Sequence, residues 1–447
     1  MRPTASYFNF SFYHLKPSRK EVDFGYKIVL TDNKELDFIE TIRLPRPIPL
    51  VVNQELLNKI LNDLHLMLGV SYWKLYCPKN IKISTQPLSK KQAEFWNIVY
   101  TKGLGEFFYR NQIDFRGLVN FPYKDDVVVN PIKFGCRDRS LIGIGGGKDS
   151  LVSIELLKEK NFPIVGLALK PGSAMILDDE YKKKLGIEII TLERKLSSQL
   201  VILKDVYKGH VPVSAIYAFL GLLTAVIYDC RYFIISNERS ANFGNLEYLG
   251  KQINHQWSKS LEFEQIFQDY TKKYITPDVT YFSLLRSLSE IKIVQLFTRY
   301  KKYFPYFTSC NRNFSTSNPL LGENKWCGEC AKCAFMFALL SAFLSKKELI
   351  DIFGQNLFVE QRLLPVYRDL LGFGMMKPFD CVGTFEETQV AFYLTYQKKE
   401  FSSDVVMKMF EKEILPKIED INKVQKEVFK AEYINNMPDK FKLVIPL

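Results

Sequence analysis

The residues with the clearest chemical potential lie in one glycine-rich stretch, residues 140–155, which reads SLIGIGGGKDSLVSIE. Its apolar start predicts a buried parallel strand, and the apolar spacing from Asp149 onward predicts a helix. Between them lie Gly145, Gly146 and Gly147. Because glycine has no Cβ, backbone N–H groups in such a turn can face a phosphate, and the helix dipole favours the same negative charge. The stretch therefore predicts an anion-binding turn.

Three polar residues follow these glycines and strengthen the interpretation. Lys148 adds a positive charge, while Asp149 and Ser150 can cap the helix. Asp149 can also hold a magnesium ion or its waters. A tight turn without a ligand is the alternative, but open α/β sheets bind ligands at this position after a strand, which favours phosphate binding. The spacing does not fit a Walker A loop.

Polar side chains are concentrated in two further segments, residues 236–245 (SNERSANFGN) and residues 254–262 (NHQWSKSLE). The first follows directly on a predicted strand, so we expect it at the same sheet edge as the glycine turn. A long surface loop is the alternative. The candidate residues are Asn237, Glu238, Arg239, Ser240, Asn242, His255, Gln256, Ser258, Lys259 and Glu262. His210 can reach the same edge, although a structural role is favoured for a lone histidine.

Four of the eight cysteines form one group, in which sixteen residues separate the first two members and two residues separate each later pair. The members are Cys310, Cys327, Cys330 and Cys333. Thiolates at this spacing can surround one tetrahedral ion, which predicts a structural zinc site. An iron–sulfur cluster is the minority alternative. Disulfides are disfavoured because we predict a cytosolic protein.

The elements that must position these residues fall into three predicted regions. Residues 1–133 show period-two strands and amphipathic helices, which predict an α+β domain. Residues 134–345 alternate strands and helices, as a parallel α/β sheet requires, and carry the cysteine group. Residues 346–447 are predicted to be mostly helical. The strands expected in the α/β region are 141–144, 164–169, 187–192 and 232–236.

The composition of the 447-residue chain is ordinary for a globular protein, with 47% hydrophobic and 25% charged residues. A formal net charge of +12 favours polyanionic partners such as nucleotides or sugar nucleotides. Lysine and glutamate are dispersed, so a nucleic-acid groove is disfavoured. The longest apolar stretch, residues 211–228, falls short of the ~20 residues that span a bilayer and predicts a buried helix. No secretory signal is recognised, which predicts a cytosolic protein.

The sequence GGGKDS at residues 145–150 resembles the pyrophosphate loop of the N-type ATP pyrophosphatases, whose usual form is Ser-Gly-Gly-x-Asp-Ser/Thr. Gly145 stands where that motif has serine. The resemblance implies a parallel sheet of the HUP type, with ATP and Mg²⁺ bound at this loop. It also implies adenylation of a substrate, with release of pyrophosphate.

Eight segments spread over nearly the whole chain resemble one family more closely, the UDP-N-acetylmuramoyl-L-alanyl-L-glutamate epimerases of the MurL type. The segments are residues 65–74, 103–111, 145–150, 209–214, 236–242, 254–260, 327–333 and 377–383. This resemblance implies an ATP-dependent isomerase of peptidoglycan precursor synthesis, acting on a small UDP-muramoyl dipeptide. Neither the resemblance nor the composition sets an oligomeric state.

The chemistry implied by this resemblance begins with adenylation of the α-carboxylate of the terminal L-glutamate. Adenylation neutralises the carboxylate and makes the neighbouring α-proton far more acidic. A base then removes the proton, which returns on the opposite face before water releases AMP and the D-glutamate product. His255 and Cys381 are rival candidates for the base. Lys259 and Glu262 complete the candidate catalytic set, and the other polar candidates would surround the peptide.

Two other functions are weighed against the epimerase. The cysteine spacing is similar to that of 7-cyano-7-deazaguanine synthases and of some tRNA-thiolating ATP pyrophosphatases. Those synthases are much shorter, and a thiolating enzyme should carry a cysteine pair near the loop, where Cys136 stands alone. A non-catalytic nucleotide-binding protein is suggested by Gly145, but the retained Lys148, Asp149 and Ser150 count against it.

Overall fold

The computed structural model describes residues 4–171, 177–314, 325–432 and 436–446, and eleven strands lie within them. The strands are β1 (Ala5–Leu15), β2 (Glu21–Leu30), β3 (Glu35–Arg43), β4 (Ile81–Ile83), β5 (Ser140–Gly143), β6 (Ile164–Lys170), β7 (Ile189–Lys195), β8 (Tyr232–Ile235), β9 (Leu246–Tyr248), β10 (Lys251–Ile253) and β11 (Thr280–Ser283). Nine of them form one sheet in the order β11-β8-β5-β6-β7-β3-β2-β1-β4. A separate hairpin joins β9 to β10.

One half of the sheet is parallel, from β11 through β8, β5 and β6 to β7. The α/β class predicted from the sequence is therefore confirmed, and each of the four predicted strands is present. The fifth strand, β11, was not predicted. The chain adds strands to one side of β5 and then to the other, so the strand order reverses between β5 and β8. Open α/β sheets bind their ligands at such a reversal, outside the carboxyl ends of the strands.

The other half of the sheet is mostly antiparallel and comes from the amino-terminal region. β3 pairs with β7 through Thr41 to Arg43, which joins the two halves into one sheet. The sheet thus crosses the predicted domain boundary between residues 133 and 134. One apolar core is also shared, since Phe8 and Trp96 belong to the same buried cluster as Phe219 of the α/β region.

Within the described residues, seventeen α-helices cover the sheet and extend beyond it. They are α1 (Gln54–Leu68), α2 (Val70–Trp73), α3 (Lys90–Gly103), α4 (Gly105–Arg110), α5 (Lys148–Glu159), α6 (Asp179–Leu185), α7 (Gln199–Ile202), α8 (Val213–Ile227), α9 (Leu261–Tyr270), α10 (Glu290–Phe297), α11 (Ala331–Ser341), α12 (Lys346–Phe353), α13 (Leu364–Leu371), α14 (Phe385–Lys398), α15 (Val405–Met409), α16 (Ile421–Phe429) and α17 (Asp439–Lys442). The predicted apolar helix is α8, and it is almost entirely buried. Among the described residues, no helix is both long and apolar enough to cross a bilayer.

Local sequence explains how the sheet edge acquires its functional residues. Three neighbouring parallel strands, β5, β8 and β11, run in the same direction, so the segments that follow them meet at one edge. The glycine turn follows β5, and Glu238 comes soon after β8. After β11, the side chain of Ser289 accepts from the backbone N–H of Lys292, which starts α10 with Glu290 in its first turn.

Candidate active site

The glycine turn holds a buried lysine at its end. The Nζ of Lys148 lies 2.9 Å from Glu290 Oε1 and 2.5 Å from Asp149 Oδ1, and its side chain is 2% exposed. Burial alone would lower the pKa of Lys148, but the carboxylates of Asp149 and Glu290 raise it above its ordinary value. The lysine is therefore a fixed positive charge directly after the turn.

Three carboxylates converge beside this turn. Asp149, Glu238 and Glu290 each offer an oxygen, and these oxygens lie within 4.8 Å of one another. Burial and the nearby Glu290 raise the pKa of Glu238 to about 6. Glu290 is fully buried, and its Oε2 has no hydrogen-bond partner among the described residues. Closely spaced carboxylate oxygens with an unused lone pair are the ligands that Mg²⁺ prefers, so this trio fits a magnesium ion.

A second group lies around Cys381, in the loop between α13 and α14. Its Sγ is 3.3 Å from the Nζ of Lys259 and 3.9 Å from the Nε2 of His255. Burial favours the neutral thiol, but the ammonium of Lys259 and the hydrogen bond from His255 lower the pKa of Cys381 to about 5. Near neutral pH this residue is a thiolate.

His255 carries the complementary charge. Burial alone would lower its pKa, but Cys381 and Glu106 raise the pKa of His255 to about 9. Glu106 belongs to α4, and its Oε2 lies 2.5 Å from His255 Nδ1 and 3.4 Å from His210 Nδ1. The site therefore contains a thiolate and an imidazolium in contact, with a carboxylate behind them.

Three predicted substrate-binding residues carry buried polar atoms that lack a hydrogen-bond partner among the described residues. The atoms are Asn237 Nδ2, Ser240 Oγ and Gln256 Oε1. Since an unpaired buried polar group costs about 1–3 kcal/mol, such atoms are suited to meeting a ligand or water. Ser258 is also buried beside this segment.

Three other predicted residues have partners within the protein. The guanidinium of Arg239 donates to the carbonyls of Val428 and Lys430, so it anchors the carboxy-terminal chain. The other two are Asn242, which accepts from the backbone N–H of Leu261, and Glu262, which pairs with Lys102 and accepts from Trp257 Nε1. Glu262 is 48% exposed and does not join the Cys381 group.

Sequence reasoning missed residues that come from the carboxy-terminal part of the chain. Lys332, at the start of α11, lies 3.5 Å from Glu290 Oε1 and donates to the carbonyl oxygen of Cys381. Glu387 of α14 accepts from the backbone N–H of Glu290, which fixes the first turn of α10. Lys332 lies inside the cysteine motif, which is the one local signal that could have drawn attention to it.

The cysteine group is assembled next to this region. The Sγ of Cys333 lies 3.6 Å from that of Cys327 and 3.5 Å from that of Cys330, and all four sulfurs lie within 4.8 Å of one another. A tetrahedral zinc ion with Zn–S bonds of about 2.3 Å spaces its sulfurs by roughly 3.8 Å. These separations are far longer than the ~2.05 Å of a disulfide. The four thiols therefore fit one zinc ion.

A cavity of about 380 Å³ opens beside the Cys381 group. It is lined on one side by Tyr109 and Arg110 of α4, and on the other by Phe379 and Asp380 of the Cys381 loop. The ring centroids of Tyr109 and Phe379 are 5.5 Å apart, and the guanidinium of Arg110 lies 4.9 Å from the Phe379 centroid. The lining of this cavity beside the Cys381 group thus includes two aromatic rings, one guanidinium, and the carboxyl groups of Asp369 and Asp380.

Comparisons with known proteins cover nearly the whole chain. Residues 1–284 match the family model described as the MurL N-terminal domain, and residues 306–425 match the MurL C-terminal domain. The chain is 36% identical to the UDP-N-acetyl-alpha-D-muramoyl-L-alanyl-L-glutamate epimerase of Xanthomonas oryzae over 402 residues, which cover 88% of this chain and 87% of that protein. The proteins of the same name from a Micromonospora species and from Salinispora tropica are 34% and 33% identical, over 90% and 87% of this chain and 89% and 84% of theirs.

Proposed function

The chain belongs to the MurL family, and from this premise we propose that it inverts the terminal L-glutamate of UDP-N-acetylmuramoyl-L-alanyl-L-glutamate to D-glutamate. The reaction would use ATP to adenylate the α-carboxylate, as a step of peptidoglycan precursor synthesis in the cytosol. Family membership supports the isomerase activity and the substrate. The adenylation mechanism is supported by two groups of buried residues, one suited to phosphates and one suited to proton transfer.

The phosphate end is assigned to the glycine turn and the residues beside it. The turn lies where the strand order reverses, between β5 and β8, and its backbone precedes the amino terminus of α5. Lys148 and Lys332 are buried cations near the same edge. Their fixed charges would stabilise the negative charge that moves to pyrophosphate when the substrate carboxylate attacks the α-phosphorus of ATP.

A magnesium ion is assigned to Asp149, Glu238 and Glu290, whose oxygens lie within 4.8 Å of one another. When bound there, it would neutralise charge on the triphosphate. The chain itself holds these carboxylates in place. Lys148 forms an ion pair with Glu290, and Glu387 accepts a hydrogen bond from the α10 backbone.

The observation that carries the proton-transfer step is the thiolate of Cys381, which lies 3.3 Å from the ammonium of Lys259. Once the carboxylate is an acyl adenylate, this thiolate takes the α-proton and becomes a thiol, leaving a planar enolate. The ammonium of Lys259 stabilises negative charge at the same place. A proton that comes ultimately from solvent adds to the opposite face of the enolate and inverts the centre, while the Cys381 thiol returns its proton to solvent. Water then cleaves the adenylate to AMP and the D-glutamate product.

The rest of the substrate is assigned to the cavity between α4 and the Cys381 loop. Asp380, which lines the cavity, directly precedes Cys381, so a glutamate at the thiolate can continue into it. The faces of Tyr109 and Phe379 suit a sugar or a nucleobase.

Structural zinc is assigned to the four cysteines. Cys330 and Cys333 flank Lys332 at the start of α11, so an ion bound there would fix the position of this lysine. The role assigned to zinc is therefore to hold α11 against the site, and the chemistry is assigned to other residues.

One assay tests the proposal as a whole. The protein is incubated with ATP, Mg²⁺ and UDP-N-acetylmuramoyl-L-alanyl-L-glutamate, and AMP, pyrophosphate and the chirality of the released glutamate are measured. We expect AMP and pyrophosphate in equal amounts, together with D-glutamate. AMP without inversion would contradict the epimerase and favour adenylation of another substrate. No AMP from the soluble, folded protein would favour a nucleotide-binding protein without this activity.

A further inference from the structure

One carboxylate of the amino-terminal region reaches the reactive thiolate through a histidine. Glu106 of α4 is 149 residues from His255 in sequence, yet its Oε2 lies 2.5 Å from His255 Nδ1. The other nitrogen of the same ring, Nε2, lies 3.9 Å from Cys381 Sγ. The His255 imidazole therefore lies between the Glu106 carboxylate and the Cys381 sulfur and contacts both.

We propose that Glu106 is a positioning residue: it keeps His255 protonated and turned toward Cys381, so that Cys381 stays a thiolate at neutral pH. This role rests on the proposed function, because the thiolate matters there as the base for the α-proton. This role places part of the active site in the amino-terminal region, which supplies the other half of the sheet and its helices.

The hydrogen-bonding geometry around His255 also supports the proposal. A carboxylate only accepts, so Nδ1 of His255 must donate to Glu106, and the ring then presents Nε2 to Cys381. When Cys381 is a thiolate it also accepts, so Nε2 must then donate to it. Both ring nitrogens donate only in the imidazolium form. The backbone N–H of His255 donates to Asn245 Oδ1 at 2.9 Å, which fixes the chain from which the ring projects.

The orientation of Glu106 is itself fixed. Its Oε1 accepts from Arg110 Nε at 2.5 Å, so Oε2 is left for the histidines, and its side chain is 8% exposed. Burial alone would raise the pKa of Glu106. The hydrogen bond and the charge of His255 outweigh this effect and lower the pKa to about 2. The carboxylate is thus ionised throughout the working range of pH.

His210 competes for the same oxygen but does not take the charge. Its Nδ1 lies 3.4 Å from Glu106 Oε2, and the two imidazole rings have centroids 4.8 Å apart. Burial, and then the charge of His255, lower the pKa of His210 to about 3, so it stays neutral. Glu106 therefore supports one imidazolium, that of His255.

The protonation of His255 depends on every charged or titratable group around it. These groups are Glu106 and Arg110 of α4, Lys74 near His210, Lys259, Lys332, Asp380 and Cys381. Removing the charge of Glu106 lowers the pKa of His255, and a neutral His255 stabilises the thiolate of Cys381 less well. The pKa of Cys381 must then rise from about 5. As the pH falls, the variant therefore protonates Cys381, and loses α-proton removal, at a higher pH than the native protein does.

The test is Glu106→Gln, with Glu94→Gln on the exposed face of α3 as the matched control. We measure three quantities: substrate-dependent ATP–pyrophosphate exchange, α-proton exchange in D₂O, and alkylation of Cys381 by iodoacetamide as a function of pH, mapped by peptide mass spectrometry. For Glu106→Gln we expect pyrophosphate exchange within about twofold of native. At pH 6 we expect slower α-proton exchange, by about twofold for the first unit by which the pKa of Cys381 rises above 5 and by about tenfold for each further unit. Its alkylation midpoint should rise by the same amount, and α-proton exchange should recover at higher pH.

A second variant shows whether Glu106 acts through His255. His255→Gln should raise the alkylation midpoint of Cys381, and adding Glu106→Gln to it should change that midpoint no further. If Glu106→Gln folds poorly, Glu106→Asp replaces it, alone and combined with His255→Gln. Alone, it should give an alkylation midpoint between those of the native protein and of His255→Gln.

The outcomes separate this inference from the proposed function. An unchanged alkylation midpoint in Glu106→Gln would overturn the positioning role, as would additive shifts in the double variant. Because alkylation needs no substrate, these results stand whatever the reaction is. Native protein that exchanges neither pyrophosphate nor α-protons would instead overturn the proposed function.

Discussion

The two ends of the candidate site differ in how the fold builds them. The phosphate end consists of segments that follow neighbouring parallel strands: the glycine turn after β5, Glu238 after β8 and Glu290 after β11. The proton-transfer end brings together α4 of the amino-terminal region, residues 254–259, and the loop that carries Cys381. The first arrangement follows from the topology of the sheet. The second depends on how three distant parts of the chain pack together.

The difference also appears in the charges. The phosphate end balances the carboxylates of Asp149, Glu238 and Glu290 with Lys148 and Lys332, a balance that suits the metal ion and polyphosphate proposed for it. At the proton-transfer end, the Cys381 thiolate lies beside two cations, Lys259 and His255. We therefore expect substitutions at the phosphate end to stop all chemistry, and those at the other end to stop inversion alone.

The largest effect is expected from Asp149→Asn. It removes a carboxylate that contacts Lys148 and belongs to the proposed magnesium trio. Without adenylation the α-proton stays too weakly acidic to exchange, so AMP release and inversion should both fall by about 10³-fold or more, the scale for losing several kcal/mol of electrostatic stabilisation. The assay follows AMP by chromatography and glutamate chirality after hydrolysis.

Asp179→Asn is the matched control, because Asp179 begins α6 with its side chain 94% exposed and away from the trio. Its activity should equal that of the native protein. Retained inversion in Asp149→Asn would show that the two ends are not linked by adenylation.

Cys381→Ala should separate the two ends most cleanly. The substitution removes the proposed base and leaves the glycine turn and the acidic trio untouched. ATP–pyrophosphate exchange should continue, whereas α-proton exchange in D₂O should fall by about 10²–10⁴-fold, as expected for loss of a general base. Cys136→Ala serves as the control, since Cys136 is half-buried and donates to the carbonyl of Asp278, away from this group. Rapid α-proton exchange in Cys381→Ala would assign the base to another residue.

Removal of the proposed zinc ligand Cys330 should affect both ends to a smaller degree. Cys330→Ser should lose bound zinc, measured by metal analysis of the purified protein, and should lower Tm, since a structural ion contributes directly to folding. Because Lys332 contacts both Glu290 and the Cys381 carbonyl, adenylation and α-proton exchange should decline together. Cys136→Ser should retain its metal content. Iron and sulfide in place of zinc would support the alternative cluster.

The sequence predicts the strands that carry the proposed phosphate end well, for a physical reason. Buried parallel strands are short apolar runs, so β5, β6, β7 and β8 are recognisable, and the turn after β5 carries its own glycine signal. The strand that was missed, β11, reads TYFS and lacks such an apolar run. The reversal of strand order then places two predicted segments together without further information.

The proton-transfer end could be predicted only residue by residue. His255, Lys259 and Cys381 were candidates, but no local pattern shows that they touch one another or that Glu106 joins them. The same limitation explains Arg239, whose charge suggested a substrate contact although carbonyls near residue 430 already occupy it. A polar segment shows which residues are near a site, and only tertiary packing decides which of them face it.

The smallest effect is expected where this chain departs from the usual pyrophosphate loop. A Cβ added at Gly145 would have no heavy atom within 4 Å, so Gly145→Ser should fit without moving the turn. The neighbouring Gly146 has φ +85°, in the left-handed region, where a side chain is strained by about 1–2 kcal/mol. ATP–pyrophosphate exchange should therefore stay within about threefold of native in Gly145→Ser and fall about 5- to 30-fold in Gly146→Ser. Equal losses in both variants would mean that the turn needs bare backbone at Gly145 as well, and that its open space is required by the bound phosphates.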